Sequence, residues 1–177
     1  MSQDPILVSL GDVVLRSSDV ELLQRPKEWF NDSIIAFSAE DSLSRSMRAA
    51  DVASVLPPSL AFLLACSDGV DLSPVMAPLQ LDAKTLVLLP VSNNPDPDRA
   101  QGGSHWSLLA YTPSRFLHLD SSRGMNQHAA KQLARAAAPY LAPGRRLTAP
   151  TECTVPQQEN RRGSLGGVSC VAVSRRR

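Results

Sequence analysis

The chain has few cysteines, few aromatic residues and no long hydrophobic run. Its three cysteines, Cys66, Cys153 and Cys170, form no Cys-x-x-Cys pair and are odd in number, which argues against a disulfide framework and against a zinc site. The longest apolar run, residues 60–66, is too short to span a membrane. The N-terminal segment has aspartates but no early lysine or arginine, unlike a secretory signal. We therefore expect an intracellular protein of the cytoplasm or nucleus, with reduced thiols and neither a metal nor an organic cofactor.

The residues that are present suffice for one globular domain. The 177 residues are 43% hydrophobic and 20% charged, proportions typical of a unit with a sizeable core. The first 160 residues carry 13 basic and 17 acidic side chains, whereas residues 161–177 carry five arginines and no acid. We expect a domain over residues 1–160 and a disordered basic tail over 161–177. The tail lacks interleaved aromatic residues, so no nucleic-acid partner is indicated, and a monomer without membrane contact is expected.

Helix signals dominate the first half of the chain. Asn31 and Asp32 are good N-cap residues for a helix over about 32–43. A second short helix is expected to start at Pro57 or Pro58, because the fixed φ angle of proline suits a first helical turn. Cys66 at the end of this helix is expected to be a buried small hydrophobic residue.

Strand signals follow, and they predict an α+β fold. A β-rich run from about residue 84 is apolar on both sides, as in a central strand. After a loop over 93–103 come two strands joined across Pro113 and Ser114, a spacing that predicts a tight hairpin. Asn126 is expected to cap a third helix. The later strands are predicted at about 104–112, 115–120 and 151–155.

The predicted hairpin places a histidine near an aspartate. If Pro113 and Ser114 form a two-residue loop, Asp120 lies opposite Ser107, and His105 is on the same face as Ser107. His105 and Asp120 are then diagonal neighbours, roughly 7–8 Å apart at the backbone. A register shift of one residue would put the two groups on opposite faces. An Asp that holds a His in one tautomer makes the imidazole a better base for a thiol or hydroxyl. The alternative, a strand-end histidine beside an aspartate that starts a turn, stays open on this pattern alone.

Four segments of the sequence form a pattern that is more specific together than any one of them alone: SDVELLQRPKEWFNDSIIAF (18–37), GGSHWSLLAY (102–111), FLHLDSS (116–122) and VPQQEN (155–160). In their order and spacing they resemble the ubiquitin-like-protein-specific cysteine proteases, which form the sentrin/SUMO protease family. The resemblance is closest to the deneddylase branch, which acts on the neddylation modifier. It implies a cysteine-type peptidase that cleaves after the modifier's C-terminal Gly-Gly, with a papain-like α+β fold whose small, mostly antiparallel sheet is flanked by helices.

The resemblance also implies roles for individual residues. His105 would be the general base and Asp120 the residue that orients it, while Gln158 would donate a hydrogen bond to the developing oxyanion. His118 and His128 match nothing catalytic and are expected on a strand face and a helix surface.

Other positions match residues that bind the modifier tail. Trp29 and Trp106 match two aromatic residues that cover the narrow Gly-Gly channel in this family. Asn31 and Asp32 match a pair that shapes the same channel and contacts the modifier. The implied partner is the neddylation modifier or, alternatively, SUMO, with its conjugates.

The chain departs from the family pattern at the nucleophile. The family continues P-Q-Q-x-N-x-x-D-C-G, which places the cysteine at position 164, where this chain has Ser164 between Gly163 and Leu165. Cys170 lies twelve residues after Gln158 rather than six, and the expected C-terminal helices are missing. We expect an inactive form that arises by alternative splicing or a frameshift. A SUMO-specific protease and a non-catalytic modifier-binding pseudo-protease stay open as alternatives.

Overall fold

The structure is a computed structural model that describes residues 4–25, 28, 30–45, 52–67, 69–94, 96 and 103–156. Trp29, Gln158, Ser164 and Cys170 lie outside the described residues, and so does the predicted basic tail, so these expectations stay predictions. The α+β class is confirmed. The elements, in chain order, are β1 Ile6–Leu10, β2 Val13–Arg16, α1 Ser17–Gln24, α2 Asp32–Ser44, β3 Ala53–Val55, α3 Pro58–Cys66, α4 Ser73–Met76, the short 3-10 turns Ala77–Leu79 and Leu81–Ala83, β4 Leu86–Ser92, β5 Trp106–Thr112, β6 Arg115–Leu119, α5 Gln127–Leu141 and β7 Thr151–Cys153.

Five strands form the main sheet in the order β3-β4-β5-β6-β7. The two central pairs are antiparallel, as predicted, whereas the outer pairs, β3 with β4 and β6 with β7, are parallel. Within the β5–β6 hairpin, Thr112 pairs with Arg115 and Leu108 pairs with Leu119. The predicted two-residue loop at Pro113 and Ser114 is therefore confirmed, together with the register that depends on it.

The two faces of this sheet differ in burial. One face packs against α3 and α5 and contributes Leu89, Leu109 and Phe116, each at most 1% exposed, to the hydrophobic core. Because side chains alternate along a strand, Leu88 and Leu108 point to the other face, where they are only partly buried. The site described below lies on the covered face.

Several elements were not predicted from the sequence. The β1–β2 hairpin is one of them, although Gly11 with a φ of +55° and Asp12 form the kind of turn that joins two strands. The others are α1, the three-residue strand β3, α4 and the two 3-10 turns. Cys66 is exposed rather than buried, because the buried positions of α3 recur at Pro58, Ala61 and Leu64, which leaves Cys66 on another side of the helix.

Cys153 is not fully buried either. It lies on β7 as expected, but it is only partly buried. Its partner in the register is Leu119, which belongs to the less covered face of the sheet, so the thiol faces the same side. Among the described residues, no helix combines the length and the apolar character that crossing a membrane requires.

Candidate active site

The hairpin brings His105 and Asp120 together. His105 directly precedes β5 and Asp120 directly follows β6, so the confirmed register places their side chains on the covered face of the sheet. The Nε2 atom of His105 lies 2.6 Å from Oδ1 of Asp120, and the two residues are only 3% and 4% exposed. The imidazole and the carboxylate therefore form a short, buried hydrogen bond.

Asp120 is held as a carboxylate by the turn that follows it. Burial raises its pKa, but hydrogen bonds from His105 and from the backbone N–H groups of Asn126 and Ser122 outweigh this effect and lower the pKa to about 2. The N–H groups of Ser122 and Asn126 donate to Oδ1 and Oδ2 at 2.8 and 2.9 Å. A carboxylate can only accept, so Nε2 of His105 donates, and in the neutral imidazole Nδ1 keeps its lone pair. Within the described part of the chain, that nitrogen has no hydrogen-bond partner.

The depressed pKa of Asp120 makes the stability of the fold sensitive to acid. The pKa of this carboxyl falls from 3.8 in the unfolded chain to about 2 in the folded protein. Its contribution to stability is therefore fully present at a pH above the unfolded-state pKa, and it is lost as the pH drops through the folded-state pKa. We expect the unfolding free energy to fall by about 2 kcal/mol more in the unmodified chain than in Asp120→Asn between pH 5 and pH 2. Urea denaturation of both proteins at the two pH values measures the difference, and equal losses would contradict it.

Asn93, which the sequence analysis assigned only to a loop, holds the backbone of His105. Its Oδ1 accepts hydrogen bonds from the N–H groups of Ser104 and His105 at 2.7 and 3.0 Å, and its own N–H donates to the carbonyl of His105 at 3.3 Å. Gly103 allows this close approach, because a Cβ there would lie 2.6 Å from Oγ of Ser92. The residue type at position 103 thus helps to fix the start of β5.

Asn126 holds the pair from the other side. It occupies the predicted N-cap position of α5, but its side chain makes no cap hydrogen bond and instead points into the sheet. Its Nδ2 donates to the carbonyls of Val91 and His105 at 3.0 and 3.3 Å and to Oγ of Ser107 at 3.0 Å. An asparagine in such a turn is usually a cap, so nothing in the local sequence indicated this second role.

A second histidine, His118, lies on β6 of the same sheet. His118 is on a strand face, as expected, but it is fully buried at 0% exposure. Its Nε2 lies 2.9 Å from Oγ of Ser107, and its Nδ1 lies 2.9 Å from both carboxylate oxygens of Glu152. The connectivity is that of a serine hydrolase triad, yet Ser107 is only 1% exposed, so a substrate has no access to its hydroxyl.

Trp106 connects the start of β5 to the segment before α2. Its Nε1–H donates to the carbonyl of Phe30 at 3.0 Å, and the indole is partly buried. This contact places Trp106 next to the residue that follows Trp29, whereas Trp29 itself lies outside the described residues.

Asn31 and Asp32 begin α2 as predicted. The Oδ1 of Asn31 accepts from the N–H of Ile34 at 3.1 Å, which confirms the N-cap, and its Nδ2 donates to Oδ1 of the buried Asp19 at 2.6 Å. Desolvation raises the pKa of the Asp32 carboxyl even though the residue is exposed at the surface, and a hydrogen bond from its own backbone N–H acts in the opposite direction.

The Cys66 thiol is not activated, and the described residues include no metal site. Desolvation raises the pKa of the Cys66 thiol, which is the opposite of what a nucleophilic cysteine needs. No group of three His, Cys, Asp or Glu side chains in the described part of the chain could hold a metal ion.

Comparison with known proteins places the chain in a family, although no family profile matches it. The chain is 39% identical over 178 residues to NEDD8-specific protease 1 of Arabidopsis thaliana, which covers 98% of this chain and 76% of the relative. It is 34% identical over 161 residues to sentrin-specific protease 8 of Homo sapiens, with 89% and 74% covered. Among solved structures, the Ulp1 protease domain in complex with Smt3, the yeast orthologue of SUMO, matches with a TM-score of 0.66 at 19% identity, covering 97% of this chain and 75% of that one. This structural likeness shows the fold, and the two sequence identities show that the chain belongs to the ubiquitin-like-protein-specific cysteine protease family.

Proposed function

We propose that this protein is a deneddylase, which binds the C-terminal Gly-Gly tail of NEDD8 and, in a form that carries the family's D-C-G cysteine, cleaves after it. The observation that carries the proposal is the buried 2.6 Å hydrogen bond between Nε2 of His105 and Oδ1 of Asp120, which leaves Nδ1 as the basic nitrogen. The name of one relative, NEDD8-specific protease 1, supports NEDD8 over SUMO. In the complete active site, His105 is the general base and Asp120 orients it.

The mechanism of such a site is acyl transfer. In a form with D-C-G at positions 163–165, Nδ1 of His105 takes the proton of the cysteine thiol at position 164, and the thiolate attacks the carbonyl carbon of the modifier's last glycine. The side-chain amide of Gln158 donates a hydrogen bond to the oxyanion. The imidazolium then protonates the departing amine, which leaves the modifier on the sulfur as a thioester. Water, deprotonated by the same imidazole, hydrolyses the thioester and restores the thiol.

The tail-binding channel is proposed at the start of β5. Trp106 and Trp29 are proposed as its aromatic walls. Two flat indoles suit a channel for Gly-Gly, because glycine has no side chain to collide with them. The hydrogen bond from Trp106 to the carbonyl of Phe30 supports this arrangement, since it brings the two segments together. Asn31 and Asp32, at the first turn of α2, complete the binding surface.

A second candidate function is binding without cleavage. Ser164 occupies the nucleophile's position, with Gly163 and Leu165 in place of the family's Asp and Gly. A serine hydroxyl is far less acidic than a thiol and has no resting state comparable to a thiolate. We propose that this form of the chain is a modifier-binding pseudo-protease, whereas a sister form with D-C-G at positions 163–165 is a deneddylase.

Thermal unfolding of the chain with each purified modifier tests the binding proposal. We expect NEDD8 at ten times its Kd to add about 1.4 kcal/mol to the unfolding free energy, because it binds only the folded state. SUMO and ubiquitin at the same concentration should give smaller shifts. Trp106→Ala, which keeps the His105–Asp120 pair, should lose most of the NEDD8 shift. The proposal is wrong if no modifier raises the melting temperature.

A modifier with a C-terminal electrophile separates the two functions. A form with a competent thiol is captured covalently, whereas the chain with Ser164 should bind reversibly and show only its own mass after denaturation. A covalent adduct at Cys170 would overturn the pseudo-protease proposal.

A further inference from the structure

We propose that Glu152, His118, Ser107 and Asn126 form a hydrogen-bonded chain that positions the His105–Asp120 pair. This inference rests on the proposed role of that pair as the general base and its orienting group. The four residues come from β7, β6, β5 and the turn before α5. The hydrogen-bonded chain therefore crosses three neighbouring strands on the covered face of the sheet. They are proposed as positioning residues, because none of them would touch the modifier.

The direction of each hydrogen bond in this chain is fixed by the one before it. The Glu152 carboxylate only accepts, so Nδ1 of His118, 2.9 Å from both its oxygens, carries the proton. In the neutral imidazole, Nε2 of His118 then has a lone pair, and the Ser107 hydroxyl donates to it at 2.9 Å. The Ser107 oxygen is left to accept from Nδ2 of Asn126 at 3.0 Å.

Asn126 joins this chain to both members of the pair. Its Nδ2 also donates to the carbonyl of His105, and its backbone N–H donates to Oδ2 of Asp120 at 2.9 Å. A flipped amide would place the side-chain oxygen against three acceptors, namely the carbonyls of Val91 and His105 and the hydroxyl of Ser107. The Ser107 hydroxyl therefore helps to select the one amide orientation that holds His105.

The two ends of this hydrogen-bonded chain differ in solvent exposure. The side chain of Glu152 is 39% exposed, whereas that of His118 is 0% exposed, and Ser107 and Asn126 are each 1% exposed. A change at the partly exposed carboxylate of Glu152 would thus be transmitted through these bonds to the buried imidazole of His105, 47 positions earlier in the sequence. A merely structural network would instead change stability and leave the state of His105 as it was.

The two buried histidines should have opposite tautomers, which gives a direct test. His105 carries its proton on Nε2 and His118 on Nδ1, and long-range ¹H–¹⁵N correlation spectra of the ¹⁵N-labelled chain distinguish the two, with the exposed His128 as an internal reference. In Glu152→Leu, which removes the acceptor, we expect His118 to move its proton to Nε2. We also expect the Nε2–H of His105 to exchange with water about tenfold faster, the effect of weakening roughly one buried hydrogen bond.

Conservative variants separate positioning from stability. Glu152→Gln keeps an acceptor for Nδ1 of His118 and should restore both the tautomer and the slow exchange at His105. Val87→Ala changes a core residue of β4 that is not part of the hydrogen-bonded chain. It should lower the melting temperature without changing the His105 exchange rate. Ser107→Ala interrupts the chain at its middle and should accelerate that exchange even if Glu152→Leu does not fold.

Two results would overturn the proposal. One is a His118 tautomer that does not respond to Glu152→Leu, and the other is an unchanged His105 exchange rate in Ser107→Ala. These spectra need no modifier, so the positioning chain can fail while NEDD8 still stabilises the protein. Conversely, the tautomers and exchange rates can behave as expected while no modifier binds, which would reject the proposed function alone.

Discussion

Replacing Asp120 with alanine should lower the unfolding free energy by about 3–5 kcal/mol, because it removes one partner of a buried, hydrogen-bonded pair. The substitution leaves three donors without their acceptor, namely Nε2–H of His105 and the backbone N–H groups of Ser122 and Asn126. All three lie at or beside a site that is almost inaccessible to solvent. Urea denaturation at pH 7, with the slope compared between variants, measures the loss.

Two further variants control this result. Asp82→Ala removes an exposed aspartate and should change the unfolding free energy by less than about 0.5 kcal/mol. Asp120→Asn keeps an acceptor for His105 and Ser122 but places an amide N–H against the N–H of Asn126, so it should cost about 1–3 kcal/mol. A loss in Asp120→Ala no larger than that in Asp82→Ala would show that the hydrogen bonds around Asp120 contribute little to the fold.

Asn126→Asp should destabilise the protein by a comparable amount, about 3–5 kcal/mol at pH 7. The change keeps the shape of the side chain but replaces the donor Nδ2 with an oxygen, which would face the carbonyls of Val91 and His105 and the Ser107 hydroxyl. The new carboxylate would also lie close to Asp120. Burial and this like charge should raise the pKa of the introduced carboxyl.

The pH dependence of this variant has a definite sign. Because the folded pKa of the introduced carboxyl is raised, the deficit relative to the unmodified chain should shrink as the pH falls from 7 to 5 and the carboxyl becomes a donor again. Gln127→Glu makes the same chemical change one residue away, at an exposed position in the first turn of α5. It should cost nothing or stabilise the helix slightly. A deficit that is the same at pH 7 and pH 5 would contradict the prediction.

The part of the site that local geometry determines was predictable from the sequence. A strand has a side-chain period of two, so the loop at Pro113 and Ser114 was enough to place His105 and Asp120 on one face. The N-cap of α2 at Asn31 was predictable for the same reason, since a cap depends on residues within one helical turn. In both cases the partners are close in the sequence or are related by a single hairpin.

The surroundings of the pair were not predictable, because they depend on distant contacts. His118 and Glu152, which are hydrogen-bonded, lie 34 positions apart in the sequence, and their contact depends on the parallel pairing of β7 with β6. Asn126 and Val91 lie 35 positions apart, and their hydrogen bond depends on the packing of α5. The exposure of Cys66 follows from which side of α3 faces the sheet, and an apolar helix gives no periodic signal for that. The roles of Trp29, Gln158 and Ser164 stay predictions.

The length of the turn between β5 and β6 has an evolutionary consequence. Surface turns ordinarily accept insertions and deletions more readily than other parts of a domain. Pro113 and Ser114 are exposed, yet one residue gained or lost between them would move Asp120 to the far side of the sheet from His105. In descendants of this gene, a substitution that keeps the turn at two residues preserves this register, whereas a change in its length separates the imidazole from the carboxylate.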